Sequence, residues 1–314
     1  MKGYKATNKE MRCRNFSYEI GKEYEEKEAK LCNKGFHFCE NPLDVLNYYD
    51  LCDSRIFEVD ATDVSDEKND DDTKRVSKKI KLTAELGIPG LVKAGFNYIN
   101  EQCEIESEND KALIDDGYNS KVATSGNNSK VATSGYNSQV ATSGNNSKVA
   151  TSGDYSQVAT SGYNSQVATS GYNSKVATSG YNSKVATSGY NSQVATSGYN
   201  SKVATSGNNS KVATSGDYSK VATSGDYSQV ATSGDYSKVE IKGNYSVGMC
   251  AGLNSVIKGS KGNWITLVEW KYDYNLEKYI PVCVKSAQID GEKLLENTYY
   301  TLHDGEFVRM GGNE

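Results

Sequence analysis

Histidine is almost missing from this chain: His37 and His303 are the only two among 314 residues. A Ser-His-Asp triad would have to use one of them, and neither has a recognisable nucleophile beside it. Proline is scarce too, at three residues. No apolar run approaches the ~18 residues of a membrane-spanning helix, so no membrane partner is expected. Neither a phosphate loop nor a dinucleotide fingerprint appears, because the glycines belong mainly to one periodic array. The seven cysteines, Cys13, Cys32, Cys39, Cys52, Cys103, Cys250 and Cys283, show no Cys-x-x-Cys spacing. An odd, unpatterned set with no apolar N-terminal leader reads as reduced thiols, with the cytoplasm of a host cell as the expected location. Cys32, His37, Cys39 and Cys52 match no common zinc spacing. The acidic stretch from Ser65 to Lys74 lacks the central Gly and terminal Glu of a calcium loop. Neither metal nor cofactor is therefore expected.

What the chain does have is repetition. From Gly117 to Lys242 a nine-residue unit recurs fourteen times: Gly, two variable residues, Ser, Lys or Gln, Val, Ala, Thr, Ser. A fixed short period is how a solenoid appears in sequence. Strand side chains alternate between faces, and nine is odd, so every repeat must contain a turn if all valines are to face one way. Gly-Tyr-Asn, Gly-Asn-Asn and Gly-Asp-Tyr provide it, with Gly expected to take the positive φ. Position five is Lys or Gln and faces water, which turns Val at position six inward with Ser at four and Thr at eight. Those hydroxyls are expected to bond from rung to rung. One Val per repeat is too thin a core for a single sheet. The reading is a mainly β chain containing a parallel β-solenoid, with two nonapeptides per coil and seven coils from the perfect repeats.

Alternation between two sheets would place Lys130, Lys148, Lys184, Lys202, Lys220 and Lys238 on one face, interrupted by Gln166. Ammonium groups stacked at ~4.8 Å repel by about 1 kcal/mol per pair in water. Such a ladder is either protection against edge aggregation or a site for an anionic partner. Eleven repeats also carry a Tyr beside the turn, and Tyr163, Tyr172, Tyr181, Tyr190 and Tyr199 form the candidate aromatic row.

The ends differ in composition. Residues 1–105 read as an α+β domain, 106–116 as a linker or first cap, 117–259 as the solenoid and 260–314 as an antiparallel β cap. Solenoids need such caps because their last rungs expose unpaired edges. The Trp- and Tyr-rich cap is also a candidate surface for homo-oligomers. In the N-terminal domain, Gly35–Cys39 and Arg55–Asp60 look like strands. Asn41–Tyr49 looks like a capped helix with Pro at its first turn.

The order Lys34-Gly35-Phe36-His37-Phe38-Cys39-Glu40-Asn41-Pro42, then a helix, then Phe57-Glu58-Val59-Asp60, resembles an uncharacterised domain family common in phage and prophage proteins. Its members carry Ala-Thr-Ser-Gly repeats followed by a Trp-Ile-x-Leu-x-Glu-Trp cap, here Trp264 to Trp270. The resemblance implies phage origin and brings no established activity. More remotely, residues 35–60 are similar to ADP-ribosyltransferase-like folds, although Glu58-Val59-Asp60 departs from the Glu-x-Glu of such enzymes. That likeness implies a nucleotide pocket at Lys5, His37 and Glu58, beside the plain reading of His37 as a strand residue. The functional expectation is a non-enzymatic binding protein that engages a host protein or an anionic macromolecule, for instance by inhibiting a host defence or nucleic-acid enzyme. The alternatives are a nucleotide-binding domain displayed on a spacer and a structural or adhesive virion component.

Overall fold

Every second repeat pairs in parallel and in register, so that Val131 lies beside Val149 and Val140 beside Val158. This is the two-repeats-per-coil solenoid that the odd period demands. The structure, a computed structural model, describes residues 1–69, 72–107 and 112–310. Asp70 and Asp71 of the acidic stretch, residues 108–111 of the expected linker and the Cys103 side chain lie outside the described residues. The chain divides into two units, Met1–Tyr98 and Ile99–Glu314, and the helix Ile88–Ser107 contains the division.

In the second unit an eleven-stranded and a ten-stranded sheet face each other across the valines. From Val131 to Val239 each repeat valine is at most 4% exposed, and burying one contributes roughly 1.5–3 kcal/mol. The fourteen perfect repeats make seven coils, as expected, and further rungs at both ends bring the solenoid to about 9. Ala112–Asp115, read as linker, pairs with Lys130–Thr133 as a first rung. Val247–Cys250, Val256–Gly259 and Trp264–Asp273 add further parallel rungs beyond the perfect repeats.

The turns work differently from the sequence expectation. The residue with positive φ is position three, between 53° and 61° from Asn119 to Asn254, and the repeat glycines are not in that region. Asn visits the left-handed region readily, whereas the tyrosines there, such as Tyr155 and Tyr218, carry a strain of about 1 kcal/mol. Glycine is needed for space. A Cβ on Gly180 would collide with the carbonyl oxygen of Gly162, one coil below, and the same holds from Gly135 to Gly252.

The inward hydroxyls also diverge from expectation. Position-four serines from Ser120 to Ser228 donate to the carbonyl of their own turn glycine, as Ser183 Oγ does to Gly180 O at 2.8 Å. Position-eight hydroxyls from Thr124 to Thr223 are buried without a hydrogen-bond partner. Stacked threonines stand ~4.8 Å apart, beyond the ~3 Å a rung-to-rung bond requires. Orphaned hydroxyls cost about 1–3 kcal/mol each. The isosteric change Thr178→Val should therefore stabilise the solenoid by about 1 kcal/mol. A chemical melt of the variant checks this, and a loss of stability would show that the hydroxyl is satisfied in solution.

Both sheets end in antiparallel hairpins, as a cap requires. Trp264–Asp273 turns back into Lys278–Gln288, and Tyr300–His303 pairs with Glu306–Arg309 beside Ile257. The Trp270 indole donates to Ala251 O at 2.8 Å, tying the cap to the coil beneath. The outer edge strand Lys278–Gln288 carries Pro281 and a register shift opposite Glu269/Trp270, features that blunt an edge against pairing.

In the first unit four antiparallel strands close a ring. Lys2–Asn8 pairs with Phe36–Cys39 and with Ser54–Val64, and Lys74–Leu86 pairs with both of the latter. Glu23–Glu25 extends Lys74–Leu86. Phe36, Phe38, Phe57, Val59, Ile80 and Leu82 form the core. The expected helix is a single 3-10 segment, Pro42–Asn47, whose cap Asn41 accepts from Leu43 N at 3.0 Å. The sequence reading places no helix at Ile88–Ser107, where Pro89, Gly90 and Gly95 weaken the pattern. Gly95 is explained by packing, since a Cβ there would press on the Leu43 side chain.

Candidate binding surfaces

Residue parity gives both sheets the same outward chemistry, yet only one sheet presents it to solvent. On the eleven-stranded sheet the position-seven alanines Ala132, Ala150, Ala168, Ala186, Ala204 and Ala222 are buried, at most 3% exposed. The predicted lysine ladder belongs to this sheet. Lys130, Lys148, Lys202, Lys220 and Lys238 are half-buried and Lys184 is buried, and all six have interaction partners. Lys238 sets its ammonium over the Tyr299 ring at 4.4 Å. The expectation that position five faces water therefore holds on one sheet only.

The ten-stranded sheet is the open one. Lys121, Gln139, Gln157, Lys175, Gln193, Lys211 and Gln229 are exposed along it, and so is the alanine row from Ala123 to Ala231. Two shallow grooves run beside that row. The first has the Lys and Gln side chains as its wall, and the second has the serines that end each repeat. The surface is flat, periodic and weakly basic, since three of its seven position-five residues are lysine.

The aromatic residues form two rows, one on each edge of the solenoid, because consecutive turns alternate between edges. Tyr163, Tyr181 and Tyr199 share one edge with Tyr218 and Tyr236, at centroid spacings of 4.9–5.2 Å. Tyr172 and Tyr190 stack at 5.5 Å on the other edge, continuing Tyr118, Tyr136 and Tyr155. In-register stacking at the rung spacing explains these contacts, worth about 0.5–1.5 kcal/mol each. The five tyrosines named from sequence are thus not one surface.

In the first unit a cavity of about 680 Å³ is lined by Lys5, Arg14, His37, Tyr48, Tyr49 and Lys74, with Cys13 and Cys32 beside them. Lys5 rises from Lys2–Asn8, is 5% exposed and donates to His37 O at 2.8 Å. Its ammonium also lies 5.1 Å from the Tyr18 ring centre. Lys74 Nζ sits 4.3 Å over the Tyr48 ring and 3.5 Å from Cys32 Sγ. Glu58 is absent from this lining. Phe57 and Val59 point into the core, so by strand alternation Glu58 is exposed on the opposite face. The structure joins Lys5 with His37 and separates both from Glu58.

A family described as a domain of unknown function (DUF7666) matches residues 1–94. No curated protein and no solved structure matches the chain. The matched stretch contains every residue that lines the cavity and none of the repeats.

Within the matched stretch, His37 Nε2 accepts the Cys32 N–H at 2.8 Å, which commits that ring nitrogen to the loop. Burial first, then the charges of Lys5, Lys74 and Arg14, push the His37 pKa from 6.5 down to about 4. The unfolded chain therefore holds this proton more tightly than the folded one. Stability from this group is complete above about pH 6.5 and falls as pH drops toward about 4. His37→Gln keeps an acceptor for Cys32 N–H and should reduce the slope of unfolding free energy against pH across that window. An unchanged slope in urea melts would refute the assignment.

Glu269, His303 and Asp304 cluster in the cap, but hydrogen bonds inside the turn account for them. Glu269 accepts from Gly305 N at 2.8 Å and Asp304 N at 3.0 Å, and Lys271 contacts both carboxylates. The two turn amides, Gly305 first, hold the Glu269 carboxyl below its ordinary range, with Lys271 adding to the effect.

Proposed function

We propose that this is a non-enzymatic binding protein whose open ten-stranded sheet engages a host macromolecule, with a protein surface favoured over nucleic acid. One observation carries the reading: the same repeat is buried on one sheet and exposed on the other, leaving a rigid alanine row flanked by amide and hydroxyl side chains. Fixed backbone geometry keeps the ordering cost of binding low. Three lysines on the open face are few for a polyanion, whose binding scales with the phosphates neutralised. The phage resemblance and inhibition of a host enzyme belong to this proposal, as does location in the host cytoplasm. Among the described residues no helix is long and apolar enough to cross a membrane.

The test compares capture from host lysate by the native chain and by an Ala177→Arg/Ala195→Arg variant. Both positions are exposed, so the fold should survive while a flat partner is repelled. A partner retained by the native chain and lost by the variant supports the reading. Equal capture by both would sink it, and so would tight, salt-sensitive binding of duplex DNA.

A further inference from the structure

Among the described residues, the cavity of the first unit carries more positive charge than its neighbours balance. Lys5, Arg14 and Lys74 converge on it from three separate segments, and none of them bonds to a carboxylate among the described residues. Lys5 is the telling one. It is 95% removed from solvent, its only hydrogen bond among the described residues is to a backbone carbonyl, and an isolated buried ammonium is costly. Salt bridges elsewhere in this unit, such as Arg55–Glu85 and Arg75–Glu40, show that carboxylates partner cations where pairing is structural. The one acidic residue on the cavity lining among the described residues, Glu26, is exposed and forms no ion pair with the three.

Aromatic side chains, Phe16, Tyr18, Phe36, Phe38, Tyr48 and Tyr49, form a large part of the remaining lining. Tyr48 and Tyr49 direct their hydroxyls to Asp72 Oδ2 at 2.6 Å and Cys13 Sγ at 2.7 Å, which fixes both rings. A volume of about 680 Å³ far exceeds the need of an inorganic anion and lies within the ~300–1,000 Å³ of small-molecule sites.

We propose that this cavity binds a small organic phosphate, with the phosphate held by Lys5, Arg14 and Lys74 and the organic body lying against Tyr48 and Tyr49. Three cations of this kind suit a dianionic head group, and each charge-assisted bond is roughly twice as strong as a neutral one. Cys32, 3.5 Å from the Lys74 ammonium, lies beside the phosphate position and reports on it. The site is independent of the solenoid face, so either can fail without the other.

Calorimetry on the full chain with AMP, ribose 5-phosphate, inorganic phosphate and adenosine tests the proposal. At least one of the two organic phosphates should bind, ten-fold or more tighter than inorganic phosphate, and adenosine should give no heat. The bound phosphate should slow alkylation of Cys32. Arg14→Gln and Lys74→Met, both at the cavity rim, should each weaken binding at least ten-fold without lowering the melting temperature. The same loss in Lys5→Met counts only if that variant melts as the native chain does. Silence with both organic phosphates overturns the proposal, and so does binding that survives the Arg14 and Lys74 changes.

Discussion

Alanine at Gly180 is expected to break the solenoid locally and to cost about 3 kcal/mol. The added methyl would overlap the Gly162 carbonyl, a backbone atom that cannot swing aside as a side chain could. Relief requires the coils to separate, which breaks ladder bonds such as Lys184 N to Ser165 O at 2.9 Å. Solenoid stability is a sum over neighbouring rungs, so the damage should centre on the coils beside the mutation. Hydrogen exchange should show lost protection near residues 162–190 with the DUF7666 stretch unaffected. A conformational explanation predicts the reverse order of severity: if φ were the constraint, Asn at this position would be tolerated, since Asn favours the left-handed region. Steric overlap predicts that Gly180→Asn is at least as damaging as Gly180→Ala.

Aspartate at Val203 should be more damaging still, at about 4 kcal/mol or more. Val203 is fully buried between Val185 and Val221 in its column, and the interior around it offers valines and neutral hydroxyls but no cation. A carboxylate there has neither solvent nor cation, so it must either protonate or open the coil. Protonation makes the loss pH-dependent: the variant should regain stability as pH falls toward the ordinary carboxylate range, with the gain complete once the unfolded chain is protonated too, opposite to the native trend set by His37. A pH-independent loss would mean that the site is reached by water.

The architecture was legible because it follows from arithmetic on the repeat. An odd period, one Val and one Gly per unit force a turn in every repeat and alternate sheets, and the pairing of Val131 with Val149 is what results. The extra coils were partly visible, since Gly243 to Val247 and Gly252 to Val256 keep the frame, whereas Ala112–Asp115 shares no residue pattern with the rungs it joins. The reason for glycine was misread because a sequence shows a residue's conformational freedom but not what stands one coil below it. A hydroxyl-to-hydroxyl ladder of stacked threonines was ruled out by strand spacing, a constraint available from the start.

The candidate sites were less legible, for a different reason. Lys121 and Lys130 occupy the same position in repeats that differ at one residue, and only tertiary burial makes one exposed and the other half-buried. No motif could mark that difference. The aromatic row failed on the same alternation that organised the lysines, since consecutive turns fall on opposite edges. In the first unit, Lys5 and His37 meet because their strands are neighbours, but Arg14, Lys74, Tyr48 and Tyr49 arrive from distant segments with no shared spacing.

Single cysteines at three adjacent repeat positions test the account most directly, through their alkylation rates in the folded chain read by peptide mass spectrometry. Val194→Cys should resist labelling, being inside. Ala195→Cys, on the open sheet, should react at close to the rate of an unstructured thiol. Ala204→Cys, at the same repeat position on the other sheet, should be protected like the buried valine. Equal rates at 195 and 204 would contradict the one-sided surface, and rapid labelling at 194 would contradict the shared interior itself.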